Sequence, residues 1–320
     1  MSGTGGARAR GSHRGEYRVH VFVTILASDI LPVFLIAGVG YLLARLLAAS
    51  VKTLAQVVFY ALIPCLVFHL LTASGALGLQ AGRMIALAVL VLVAMGVIGR
   101  LVAAPLRLSR PELSAFLLVV MFSNAGNYGL PVVLFAFGPE ALSQGTVFFV
   151  TGSVLTSTVG VFLAATGRRS VRGALAGIMK VPALYAVASA AAVVASGIHL
   201  PLAVTRPIDL LSDAALPTMI LVLGMQLERA TVPDRPAVVM IAVFVSLLVA
   251  PFVALGLVSL LHVTGPARQA GVILSSMPVA VVTTILAVEF DIAPAFVTSA
   301  VFVSTLLSPL TLTPLIAYLR

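Results

Sequence analysis

Asn124 and Asn127 stand three residues apart in the stretch MFSNAGNYGLPVV, Met121 to Val133, between apolar runs at 113–121 and 132–137. Those runs suit the centre of a lipid-spanning helix, where polar amides are costly. Each amide donates and accepts hydrogen bonds without carrying charge. On a helix the two would share a face and could hold a carboxylate or another polar group. Pro131 has no amide hydrogen, so the Asn127 carbonyl loses its intrahelical partner. Gly126 and Gly129 admit backbone conformations closed to other residues and let another chain approach, and Tyr128 lies between them. Unpaired backbone at this depth survives only when buried in protein or lining a wet cavity. Tighter helix packing through small residues is the plainer alternative.

A second interruption, SSMPVAVVTTI, surrounds Pro278, which frees the Leu274 carbonyl in the same way. Ser276 lies inside it, and Thr283 and Thr284 either line a cavity or bond back to the backbone. Two such breaks crossing near mid-membrane would aim half-helix N-termini at one small volume. Free amides and the positive dipole end suit an anion. The cluster with its counterpart is therefore read as a substrate site.

Other chemistry is sparser. His69 sits inside an apolar segment, either bonded to a neighbouring helix or relaying protons. Asp209 follows Pro207 and reads as a helix cap. Asp213 is deeper, four residues before Pro217, and is a candidate for ion or proton coupling. Asp29 sits near a membrane boundary, and Glu289 and Asp291 are expected to face water. Cys65 is the single cysteine, which excludes an intramolecular disulfide. It reads as a small packing residue. No metal or cofactor is expected, although proton or sodium coupling stays open.

These residues need lipid-spanning helices to hold them. The chain is 61% hydrophobic and 9% charged, with mean hydropathy +1.17. No soluble chain of 320 residues hides that much apolar surface. The net charge of +9 does not point to nucleic acid, because the basic residues fall in short connections and suit lipid headgroups. Apolar segments recur at 27–47, 52–73, 83–104, 112–137, 144–166, 179–197, 207–227, 236–262, 268–289 and 294–318. The fold class is thus all-α and polytopic, with about ten transmembrane helices. Residues 1–20 form a basic, disordered tail, and the run from Val21 to Leu47 is too long for a cleaved leader.

One set of alternate connections holds Arg45, Lys52, Arg100, Arg107, Arg110, Arg168, Arg169, Arg172, Lys180, Arg229 and Arg235; the other holds Arg83, Arg206 and Arg268. The first set is expected in the cytoplasm, with both termini outside. The connection 168–178 divides the chain into five-helix halves, 21–167 and 179–320. Proline punctuation matches between them: Pro64 with Pro217, and Pro131 with Pro278. Because five is odd, the halves are inverted repeats, and paired breaks at corresponding positions point to a transporter's binding site.

SNAGNYGLP, the basic mid-chain connection, DLLSDAALPTMILVLGMQL and the SSMP break together resemble the auxin efflux carrier family over residues 28–320. The resemblance implies ten helices in two inverted repeats, like the bile-acid symporter fold, with a scaffold and a mobile crossover domain moving as an elevator. It implies an organic anion bound where the broken helices cross, and carries over Asn124, Asn127, Gly129, Pro131 and Pro278. Many relatives place an asparagine a few residues after the second proline, where this chain has Val282, so its second half-site is less polar. The expected function is a secondary carrier for a small organic anion in the cytoplasmic membrane. Auxin, dicarboxylates such as malonate or malate, and amino-acid-like anions remain open, as does a homodimer. An ion or solute channel is the alternative. An intramembrane enzyme is not expected, since neither a nucleophile with a base nor a phosphate-binding loop is present.

Overall fold

A backbone in hydrocarbon must pair its own N–H and C=O groups, so long apolar runs become helices. The computed structural model describes residues 20–74, 78–165, 179, 181–228 and 235–320. Most of the basic tail, the connection 168–178, Lys180 and Arg229 lie outside the described residues. Helices α1 (His20–Leu47), α2 (Val51–Ala73), α3 (Leu79–Leu106), α4 (Arg110–Met121) and α5 (Ala125–Ala164) form the first half. Helices α6 (Pro182–Ser196), α7 (Leu202–Leu227), α8 (Pro236–Leu260), α9 (Gly265–Ser275), α10 (Val282–Glu289) and α11 (Pro294–Leu319) form the second. Seven of them, α1, α2, α3, α5, α7, α8 and α11, are long and apolar enough to cross a membrane.

Helix α5 is too long for one crossing. Its 40 residues would reach about 60 Å against a hydrocarbon core of roughly 30 Å. Gly138 divides it, with φ 82° in the left-handed region that favours glycine, and Pro139 starts the second arm. Helices α4, α9 and α10 are each too short to cross alone.

Proline leaves a repeated signature. The residues just before Pro32, Pro64, Pro131 and Pro251 (Leu31, Ile63, Leu130 and Ala250) donate their N–H to carbonyls five residues back, on Leu26, Val58, Ala125 and Val245. Each proline can neither donate to the carbonyl four back nor tolerate it against its ring. The helix widens into one π turn and keeps its bonds. Such a turn surrounds Asn127, whose carbonyl was expected to lose its partner. Ala125–Gly129 is a π turn, and the break lies upstream, where Phe122 and Asn124 leave helical geometry. A correction concerns α7: it starts at Leu202 with Pro207 and Pro217 inside it, so Asp209 lies two turns into the helix and caps nothing.

Two packing groups emerge. Helix α1 packs on α7, and α2 on α6 and α7. A Cβ added at Gly224 would strike the Ala37 carbonyl, and one at Gly40 the Leu221 carbonyl, so small residues bring α1 and α7 into backbone contact. The second group joins α5 to α3 and α9, α4 to α3 and α11, and α8 to α9 and α11. Between the groups, α7 meets the Ala125–Gly129 turn, α2 meets α5, and Leu26–Ile30 meets α5 and α11.

The bundle has two distinguishable ends. At one, Arg235 Nη1 lies 3.1 Å from Glu112 Oε1, and both line a surface pocket with Pro294 and Phe296 at the start of α11. At the other, Arg83 donates to the His262 carbonyl at 2.9 Å, Gln269 to the Leu319 carbonyl at 3.0 Å, and Arg320 pairs with Asp29.

Candidate functional site

The two interruptions cross. Ser123 and Val279 form an isolated antiparallel bridge. Its bonds run from Asn124 N–H to the Pro278 carbonyl at 2.7 Å and from Ala280 N–H to the Phe122 carbonyl at 2.8 Å. Extended backbone from each break thus pairs with the other, which meets the demand for internal pairing. Side chains complete the junction. Ser123 Oγ donates to the Leu274 carbonyl at 2.8 Å, the group that Pro278 leaves free. Val279 N–H donates to Ser304 Oγ of α11 at 3.1 Å. Gly129 allows the close approach: a Cβ there would sit 2.6 Å from Leu274 Cδ2 and 3.1 Å from Met277 Cγ.

The expected site residues have separate environments. Asn124 is 5% exposed, and its Nδ2 is buried without a hydrogen-bond partner. Its own carbonyl accepts from Gly129 N–H at 3.0 Å. Asn127 is half-buried, one turn on, at the start of α5. First-turn amides of a helix have no intrahelical acceptor, so the backbone around Gly126 and Asn127 is a donor surface. Tyr128 is fully buried, edge-on to Phe34 of α1 with centroids 5.9 Å apart, and its hydroxyl accepts from Ser308 Oγ at 3.0 Å. It packs the two groups of helices together in this conformation.

Polar side chains of the second break are occupied. Ser276 Oγ donates to the Val272 carbonyl at 2.7 Å, and Thr283 Oγ1 to the Ala280 carbonyl at 2.6 Å; both residues are buried. Val282 is 40% exposed at the start of α10. Residues 121–133 and 274–284 contain no charged side chain. The crossing therefore offers amides, carbonyls and helix starts, and any charge it binds would be held by dipoles.

The coupling candidates lie apart from the crossing. His69 Nδ1 and Asp209 Oδ1 are 2.7 Å apart, joining α2 to α7. Asp213 is exposed one turn further along α7. Cys65 lines a surface groove with Tyr60, Phe68, Tyr185 and Ile208. Among the described residues no cluster of three His, Cys, Asp or Glu could hold a metal.

Sequence reasoning missed the partners of two groups and the weight of a third. Ser123 was visible in the opening motif, but its partner, the Leu274 carbonyl, is 151 residues away. Asp29, 3% exposed, meets Arg320 Nη2 at 2.6 Å. The fifth apolar segment carries Thr151, Ser153, Thr156, Ser157 and Thr158 past the crossing, where a Cβ at Gly160 would lie 3.3 Å from the Phe122 ring. Its run of hydroxyls was the signal.

Known proteins bear on this geometry. An uncharacterized transporter of Methanocaldococcus jannaschii is 25% identical over 206 residues, covering 63% of this chain and 67% of that one. Another uncharacterized transporter, from Methanothermobacter thermautotrophicus, is 30% identical over 190 residues, covering 58% and 61%. The membrane transport protein model matches residues 25–316, both breaks included. A multi-pass helical chain with crossed interruptions, matched over nearly all its length, belongs to that family, the auxin efflux carrier family.

Proposed function

We propose that this membrane transporter is a secondary carrier for a small organic anion, bound as a carboxylate beside the crossing of the two broken helices. The observation that carries the reading is the Asn124 Nδ2, a buried donor without a partner next to the first-turn amides of α5. A buried unpaired donor is costly and marks a place where a ligand acceptor fits. Asn127 supplies a second amide at the accessible edge. The bound carboxylate would neutralise its charge on helix-start amides and dipoles.

In this reading α4 with the first arm of α5, and α9 with α10, are the broken members of two inverted five-helix repeats, 21–167 and 179–320. The group α1, α2, α6 and α7 is the scaffold, and the remaining helices move against it as an elevator. The connections rich in Lys and Arg face the cytoplasm. The candidates for ion or proton coupling, His69 and Asp213, lie on the scaffold helices α2 and α7, with His69 in contact with Asp209.

The test is a thermal-stabilisation screen of mono- and dicarboxylates on purified protein, followed by flux in proteoliposomes. A stabilising carboxylate that shows saturable counterflow supports a carrier. Unsaturable electrodiffusive current would establish a channel instead. Unchanged affinity and transport in Asn127→Ala would overturn the site.

A further inference from the structure

Polar groups at the crossing are divided unevenly between free and occupied. At the first break the Asn124 Nδ2 is unpartnered, beside the first-turn amides of α5. At the second break the donors are already engaged. Val279 N–H bonds Ser304 Oγ, and Ala280 N–H bonds the Phe122 carbonyl. Thr283 and Thr284 N–H bond the Ala280 and Val281 carbonyls, closing the first turn of α10 on itself. The acceptors are engaged as well: the carbonyls of Phe122, Asn124, Leu274 and Pro278 each receive a hydrogen bond. One set of free donors therefore remains, at the first break.

The surroundings of that set are apolar. A Cβ added at Gly126 would sit 2.7 Å from Phe149 Cε2 and 3.4 Å from Met219 Cε, so a ring of α5 and a thioether of α7 stand over the donor turn. Tyr128 is covered by Phe34, and its hydroxyl is taken by Ser308. Charged side chains set within the helices are paired elsewhere or turned away. Asp29 holds Arg320, and Asp209 contacts His69. Asp213 lies six residues before Met219 on α7, about 120° away around the helix.

We infer that the site takes one ionised group only: a monocarboxylate whose uncharged, apolar body packs against Phe149 and Met219. The inference deepens the carrier reading and rests on it. Amides and a helix start can hold a single carboxylate. A dicarboxylate brings a second anion for which no cation and no free amide of the second break is at hand. An amino acid brings an ammonium that no carboxylate faces. An ionised group held away from water without a partner is strongly disfavoured, so both classes are rejected by what the site lacks. Met219 sets this selectivity from the scaffold side, because its methyl occupies the place where a cation would meet the second carboxylate.

Two matched ligand series test this at neutral pH, by thermal stabilisation of the purified protein and counterflow in proteoliposomes. Pentanoate, glutarate and norvaline share one carbon skeleton, as do phenylacetate, phenylmalonate and phenylglycine. In at least one series the monocarboxylate is expected to act at concentrations about a hundredfold or more below its partners. Met219→Lys should improve the dicarboxylate of that series about tenfold, while the neutral Met219→Gln should not. If Met219→Lys does not fold, Val282→Lys, at a 40% exposed position of the second break, supplies the cation instead. A dicarboxylate or amino acid as effective as its monocarboxylate in the unaltered protein would overturn the inference and leave the carrier reading standing. No gain for the dicarboxylate in a folded lysine variant would overturn the missing cation as its cause. Binding by no member of either series would overturn the carboxylate reading itself.

Discussion

The two interruptions share a proline, a serine and a long apolar context, yet they fill different roles. At the first, Asn124 keeps an unpartnered buried amide and Asn127 stands half-exposed. At the second, Ser276 and Thr283 turn their hydroxyls back onto their own backbone, and Val282 faces outward. The junction is symmetrical in backbone and asymmetrical in side chains. In the proposed carrier, the first break would supply recognition and the second the surface against which the first is held.

The largest disruption should come from Gly129→Leu. Its side chain would overlap Leu274 and Met277, so the crossing cannot close. A loss of about 3 kcal/mol or more is expected, read as failure to purify a monodisperse protein. Ser304→Ala strands the buried Val279 N–H and should cost roughly 2 kcal/mol by thermal unfolding. A matching loss from Ser304→Val and none from Ser304→Thr would tie the effect to the hydroxyl.

Asn127→Ala should separate recognition from stability, with melting nearly unchanged and carboxylate affinity down about tenfold, or ~1.4 kcal/mol. Thr283→Val should do the opposite, costing about 1 kcal/mol of stability with affinity retained. Equal affinity losses in both would erase the asymmetry. Ser123→Ala leaves the Leu274 carbonyl without its donor and should cost about 1 kcal/mol. Smallest is Val282→Asn. At a 40% exposed position it should move stability by no more than about 0.5 kcal/mol, while tighter carboxylate binding would mean that the second break regains a recognition role.

Much of this was legible from residue order. Long apolar runs can only be helices in lipid, because backbone groups there must pair within the segment. Pro131 and Pro278 announced the breaks, since a missing N–H acts through the four residues before it. The matched family extends over the same residues. Less legible was how each break is repaired. At Pro131 the chain widens into a π turn, and at Pro278 the freed carbonyl is answered by Ser123. Both outcomes depend on whether a donor lies within reach. Asp209 was misread for the same reason: its partner His69 lies 140 residues away, while the local signal after Pro207 suggested a helix start.

What the sequence determined by itself was local: a polytopic helical chain, two interrupted helices, and a polar cluster at the first of them. Hydrophobic length and proline chemistry act over a few residues, so they can be read in order along the chain. Only the tertiary structure decided that Ser123 pairs with Val279, that Asn124 keeps a free donor while Thr283 does not, and that Asp29 meets Arg320 at the end opposite Glu112. Those outcomes hang on which distant segments come within 3 Å or so of each other, the range over which a hydrogen bond forms.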